Sequence, residues 1–277
     1  MTKREFVEEI ATKVNGEVKE TEKTNGIRLT GICVGGGDVR PTIYIDTMYD
    51  KGMSVDEAVA EINKIVDEQA LPEVDVKGFT DYENVKDKIV LRLYNGKTNT
   101  EVFRSAEEYG FSDLILVPYL VISEKGGMFA KVSNGLLSMW DKTADEVLDT
   151  AMENTMKQKF YCVPLSKVMS SMMQSFSVES EEYEDCFESE YPGAEMFCIG
   201  NPSKVYGAIG AIIKRDVLKE HFPNGYYILP SSVHEVLLLP KDSCSLGDDE
   251  LTDMVCAVNA KEVRPEDVLA DHAYFIG

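Results

Sequence analysis

A chain of 277 residues with 44% hydrophobic and 28% charged side chains has the composition of an ordinary globular protein, long enough for one large core or two modest ones. Its formal net charge of −21, from 49 acidic and 28 basic residues, argues against nucleic-acid binding by phosphate neutralisation and against anionic membranes. No apolar run approaches the ~20 residues a membrane span needs, and MTKREFVEEIATKV lacks the apolar core of a signal peptide, so a cytoplasmic location is expected.

In chain order, capping boxes announce the helices. Thr2 and Glu5 precede Phe6, Val7, Ile10 and Val14 at helical spacing. Ile27 to Val34 and Pro41 to Asp46 flank Gly35-Gly36-Gly37-Asp38 and read as a hairpin. Ser54 and Glu57 open a second helix along Val55, Ala58, Val59, Ile62, Ile65 and Val66. Leu71 to Gly78, with Pro72, ends this first unit. Asp81 is expected to cap a helix through Val85, Ile89 and Leu93. Leu114 to Ile122 is an apolar strand, with Met128 to Val132 returning beside it after Glu124-Lys125-Gly126-Gly127. Thr143 and Glu146 open a helix along Val147, Leu148, Ala151 and Met152. Ser177 to Glu190 holds seven acids and no base, the pattern of a solvated loop.

Beyond that loop, Met196 to Ile199, Tyr206 to Ile213, Tyr226 to Leu229, Val233 to Leu239 and Ala273 to Ile276 read as strands. Gly247-Asp248-Asp249 starts a helix facing inward with Leu251, Met254, Val255 and Val258. Segments 113–153 and 196–222 share an order of strand, glycine-containing return strand and helix, without residue identity. Helices and strands mix without a βαβ rhythm. The expected fold class is therefore α+β, with mixed, mostly antiparallel sheets and packed helices. It would divide into an N-terminal helix-hairpin-helix unit over 1–78 and a larger α+β domain over 79–277, the latter carrying the acidic loop 177–190.

Few motifs carry chemistry. Gly96-Lys97-Thr98 fails as a P-loop, because the earlier glycine's position holds Leu91, inside the helix expected from Asp81. The six cysteines form no CxxC pair and read as buried thiols. Three histidines, His221, His234 and His272, are too few to build a multi-histidine metal site without using most of them, and no cofactor is indicated. Trp140 reads as core, and Met169, Met172 and Met173 as helix packing.

The segment Pro230 to Pro240, PSSVHEVLLLP, sets polar Ser231, Ser232, His234 and Glu235 against an apolar run and is the candidate functional surface. On a strand over Val233 to Leu239, His234 and Glu235 point to opposite faces and form no local dyad. Ser232 and His234 share a face but lie roughly 6.5–7 Å apart, too far for a direct hydrogen bond. A core strand with a polar lip explains the segment best.

Several words of the sequence together are similar to one family. They are Asn25-Gly26-Ile27-Arg28-Leu29-Thr30-Gly31, Pro41-Thr42-Ile43-Tyr44 and Val85-Lys86-Asp87-Lys88-Ile89-Val90. Asn134, Leu137 and Trp140 follow, then Ala151-Met152-Glu153-Asn154-Thr155, Leu229 to Val236, and Asn259. The chain resembles, over nearly its whole length, the bacterial family called domain of unknown function 5688. Ser105 to Ser112 departs from it, where members carry a more apolar lead into the next strand. The resemblance implies a coherent fold, a setting among anaerobic gut bacteria and their mobile elements, and no chemistry.

The expectation for function is a non-enzymatic protein-interaction factor or mobile-element accessory, anti-defence factors included, with a basic protein as partner. Two alternatives stand beside it. One is a hydrolase using His234 with a serine or carboxylate from a distant segment. The other is an acidic mimic of nucleic acid.

Overall fold

A computed structural model describes residues 1–35, 40, 42–68, 76–123, 128–173, 196–230 and 232–277. The acidic loop 177–190, the tip of the glycine hairpin and the turn Glu124-Lys125-Gly126-Gly127 lie outside them, as do Ser231 and Cys186.

Among the described residues the chain begins with helix α1 (Lys3–Lys13), strands β1 (Glu17–Glu22), β2 (Arg28–Cys33) and β3 (Thr42–Tyr44), then α2 (Asp46–Asp50) and α3 (Val55–Glu68). The capping boxes form as expected: the Thr2 hydroxyl accepts from the Glu5 N–H, and Ser54 accepts from the Glu57 N–H. β1, β2 and β3 make an antiparallel sheet in that order. Phe6, Val7 and Ile10 of α1, Ile32 and Ile43 of the sheet, and Val55, Ala58 and Ile62 of α3 close a core of their own.

The chain continues with α4 (Tyr82–Val85), β4 (Ile89–Asn95), β5 (Arg104–Ser105), β6 (Leu114–Ser123), β7 (Met128–Lys131), α5 (Asn134–Trp140) and α6 (Ala144–Met156). β6 is the central strand, with β4 on one edge and both β5 and β7 on the other. After β8 (Tyr161–Pro164) and α7 (Leu165–Met173) come β9 (Phe197–Gly200), α8 (Gly210–Ile213), α9 (Arg215–His221), β10 (Tyr226–Leu229), β11 (Val236–Pro240), α10 (Asp248–Glu262) and β12 (Tyr274–Ile276). These strands form a second sheet of order β12-β10-β11-β9-β8. Every strand pairing among the described residues is antiparallel, and the fold is α+β.

The two larger sheets share one core, to which Leu91, Leu93, Leu116, Phe197, Ile228 and Leu238 contribute. The far face of the second sheet is covered by α7 through Val168 and by α10 through Leu251 and Val255. Trp140 is core, as expected, and its indole N–H donates to the Phe79 carbonyl at 2.7 Å. Among the described residues no helix is long and apolar enough to cross a membrane.

Four expectations are corrected. The helix capped by Asp81 ends at Val85, and Ile89 to Asn95 is a strand with six of its seven residues buried. Val85, Ile89 and Leu93 recur every four residues, which imitates a helical stripe. A strand buried on both faces shows no alternation to contradict it. Leu91 is thus on a strand, and the P-loop fails for want of the glycine, not because of a helix. Gly207 to Ile213 is helical, a 3-10 turn at Gly207–Ile209 running into α8, with Tyr206 left-handed just before it. The second segment of the loose repeat therefore has no return strand there. β11 starts at Val236, three residues later than expected. On α10, Met254 and Val258 are exposed, and buried Asn259 takes the inward place. β1 went unread because all but one of its residues are exposed and its sequence, EVKETE, is polar.

The Asn154-Thr155 pair stitches α6 to β4. Asn154 donates to the Lys86 and Ile89 carbonyls at 2.7 and 3.0 Å, and the Thr155 hydroxyl accepts the Leu91 N–H at 2.8 Å. Both side chains are buried. Asn154→Ala leaves two carbonyls without a donor and is expected to lower stability by about 1–3 kcal/mol in urea unfolding. A loss below about 0.5 kcal/mol would show that water reaches these carbonyls.

Candidate functional site

The site is built from the register of the β4–β6–β7 sheet. Directly paired residues of antiparallel strands share a face. Val90 pairs with Tyr119 and Arg92 with Val117, while Tyr119 pairs with Lys131 and Val121 with Phe129. Arg92, Tyr94, Tyr119, Phe129 and Lys131 therefore stand on one face, opposite Leu91 and Leu93 in the core.

Arg92 is 4% exposed. Its guanidinium carbon lies 3.5 Å from the centre of the Tyr206 ring, 3.8 Å from Phe129 and 4.4 Å from Tyr119. Phe129 and Tyr206 meet edge-on, and Tyr94 packs against both Tyr119 and Tyr206. Among the described residues no acidic side chain pairs with Arg92. The Tyr94 and Tyr119 phenols supply no negative charge either. Burial is the main cause that holds the Tyr94 and Tyr119 hydroxyls above their ordinary titration range, so both stay neutral.

Tyr206 reaches this box from a loop that needs its own scaffold. Its backbone is left-handed, at φ +56°, which costs a non-glycine residue roughly 1–2 kcal/mol. Two bonds hold it. The Tyr206 N–H donates to His234 Nδ1 at 3.2 Å, and the Gly207 N–H donates to the His234 carbonyl at 2.7 Å. A side chain at position 207 would collide, since a Cβ there meets that carbonyl oxygen at 2.7 Å. Because Nδ1 accepts, the neutral ring carries its proton on Nε2. Nε2 faces Asp267 Oδ2 at 3.5 Å, and Asp267 also takes Arg264 at 2.6 Å.

The segment around His234 is a turn and not a strand. The Ser232 hydroxyl accepts the N–H groups of His234 and Glu235 at 3.1 and 3.3 Å, and Ser232 makes a single bridge to Val268. The opposite-face argument for His234 and Glu235 therefore does not apply, because both precede β11. Ser232 is buried and His234 and Glu235 half-buried; Ser231 lies outside the described residues. The Cys198 thiol is pushed up to about 12 by burial first and by the charge of Glu235 second. That thiol is an inert core group.

A cavity of about 900 Å³ opens over the Arg92 box. Its other walls come from the N-terminal unit, at Glu22, Lys23, Thr24, Tyr44 and Asp50, and from Arg264 to Asp267. Asn25 clamps these walls together, donating to the Pro265 and Val268 carbonyls at 2.9 and 2.8 Å, while the Thr24 hydroxyl donates to the Glu266 carbonyl. Asn25 is itself left-handed, at φ +59°, a conformation that asparagine tolerates. On the rim, burial lowers the Lys131 amine below its ordinary range, opposed by the charge of Glu22. A smaller cavity of about 440 Å³ touches Arg92 beyond Phe129 and Tyr206. No group of three or more metal-ligating side chains occurs among the described residues.

His234 thus belongs to the site, as a part that positions Tyr206, whereas Arg92, Tyr119, Phe129 and Tyr206 were not singled out from sequence. The available signal was one arginine inside the apolar run Ile-Val-Leu-Arg-Leu-Tyr. It becomes informative only once that run is known to be a strand.

Asp267 supplies a pH test. Burial, the largest influence, works to raise its carboxyl. The His234 hydrogen bond and the Arg264 charge outweigh that and hold it below the ordinary 3.8. A lowered carboxyl contributes stability that is complete above its ordinary value and is lost as pH falls through its folded value. The stability gap between wild type and Asp267→Asn is therefore expected to be widest above about pH 5 and to shrink on acidification towards pH 3. A gap constant across urea unfolding curves from pH 6 to pH 3 would contradict this.

A family model described as "Family of unknown function (DUF5688)" matches residues 1–276. No curated protein and no solved structure matches the chain. The words of sequence that carried the family likeness now have places, with Asn25 at the clamp, Asn154 and Thr155 at the α6–β4 stitch and His234 behind Tyr206. The chain belongs to the DUF5688 family over essentially its whole length.

Proposed function

We propose that this protein is a non-enzymatic interaction factor, an accessory protein that acts by binding a basic protein partner. The observation that carries this reading is the commitment of its would-be catalytic groups. Neither nitrogen of His234 is left to take a proton from a nucleophile, because Nδ1 accepts the Tyr206 N–H and Nε2 faces Asp267. The Ser232 hydroxyl is engaged by two backbone N–H groups. A hydrolase built on His234 would have its distant carboxylate in Asp267, but no base to use with it.

The net charge of −21 favours a basic partner by long-range attraction. Exposed acids lie on α1, α3, α6 and α10, and several are already neutralised locally, as in Arg4–Glu8, Lys13–Asp56 and Arg104–Asp149. Such interspersed neutralisation supports a basic protein surface as partner over imitation of a phosphate backbone. A role in mobile elements, including action against host defence, agrees with the setting that the family resemblance implies.

Affinity purification from a bacterial lysate at low ionic strength is expected to retain one basic protein in stoichiometric amount, released as salt rises and the Debye length falls to about 3 Å near 1 M. The purified pair should reassemble. Empty captures at low salt, or a captured protein that is acidic and insensitive to salt, would overturn the reading.

A further inference from the structure

We propose that the cleft over Arg92 is a binding site for a small organic monocarboxylate, with the carboxylate on the guanidinium and the apolar body against Phe129 and Tyr206. This goes beyond the protein partner proposed above and does not depend on it.

Four observations carry the inference. Arg92 is 4% exposed, with no acidic partner among the described residues, and it lines a cavity of about 900 Å³. That volume lies within the roughly 300–1,000 Å³ of small-molecule sites. Three aromatic rings surround the guanidinium. Rings attract the charge but accept no in-plane hydrogen bonds in return, so among the described residues the fork of N–H donors that would grip a carboxylate is unused.

The remaining two observations concern what stands nearby. Phe129 and Tyr206 are only half-buried, whereas Tyr94 and Tyr119 are buried, so the first pair offers apolar surface to a ligand. Tyr206 also occupies its place at the expense of a left-handed backbone, locked by His234. Strain of that kind is maintained where a side chain must stand in one position.

The charge of the rim selects the class of anion. Acids outnumber cations five to four along the cavity, and of the cations Lys23 lies over the Tyr44 ring, Lys131 donates to the Asn99 carbonyl and Arg264 pairs with Asp267. A phosphate carrying close to two negative charges meets that acidic excess with Arg92 as the one cation whose donors are uncommitted among the described residues. A carboxylate carries one charge, and its planar pair of oxygens fits the guanidinium fork.

The test uses the full chain labelled with ¹⁵N-arginine. Benzoate and inorganic phosphate are titrated separately while the Arg92 Nε–H resonance, assigned by its loss in Arg92→Lys, is followed by NMR. Benzoate is expected to move that resonance saturably, and phosphate to bind about tenfold or more weakly. Tyr206→Ala should weaken benzoate by about tenfold while leaving the Arg92 resonance present. An Arg92 resonance that benzoate leaves unmoved, or moves without saturation, overturns the site. Phosphate binding tighter than benzoate overturns the ligand class. Should Arg92→Lys fail to fold, Overhauser contacts from the Nε–H to the Phe129 and Tyr206 ring protons assign the resonance in the wild type, whose titration then decides both points.

Discussion

A guanidinium withdrawn from water has to be held by something, and in this protein aromatic rings hold it. Removing such an ion from solvent costs several kcal/mol even after relaxation. A cation–π contact returns about 0.5–1 kcal/mol at an exposed site and about 2 kcal/mol when desolvated. Three contacts around Arg92 bring the two sides near balance and leave little surplus. The arrangement is therefore tolerated by the fold without being a strong source of stability. A counter-charge arriving with a ligand would tip the balance.

Much of the surrounding architecture follows from keeping those rings in place. Two come from strand register, since Tyr119 and Phe129 share the face of Arg92 across β6 and β7. The third, Tyr206, comes from a loop, and a loop has no register to fix it. Its position depends on His234, whose ring and carbonyl take successive N–H groups, and on Gly207, which lets that carbonyl approach. His234 depends in turn on Ser232, which shapes its turn, and on Asp267, which lies beside the carbonyls clamped by Asn25. Residues from positions 25 to 267 thus form one continuous support, and the N-terminal unit takes part in the cleft as well as packing its own core.

The sequence announces some of this plainly. Thr2, Ser54 and Thr143 each precede a glutamate at the third helical position, and a capping box is a local device that no distant contact needs to complete. β4 was obscured for the opposite reason. A strand buried on both faces shows no alternation, and its apolar residues fall by chance on a helical period. With β4 read as a helix, Arg92 is an unremarkable surface charge; on a buried strand it is the one residue that demands an explanation. Tyr206 carries no local signal, because its left-handed backbone is imposed by His234, 28 residues away. In Pro230 to Pro240 the polar residues Ser232 and His234 shape a turn and hold the Tyr206 backbone.

On the proposed reading of the cleft, Arg92 is kept for what it binds and not for what it stabilises. Arg92→Met preserves apolar packing volume and removes the buried charge, and its urea unfolding in the absence of any ligand is the most direct measurement. The variant is expected to match wild type within about 1 kcal/mol or to exceed it. A loss of more than about 2 kcal/mol would mean that the ring contacts outweigh the desolvation penalty and that Arg92 is a structural keystone, which would contradict the claim.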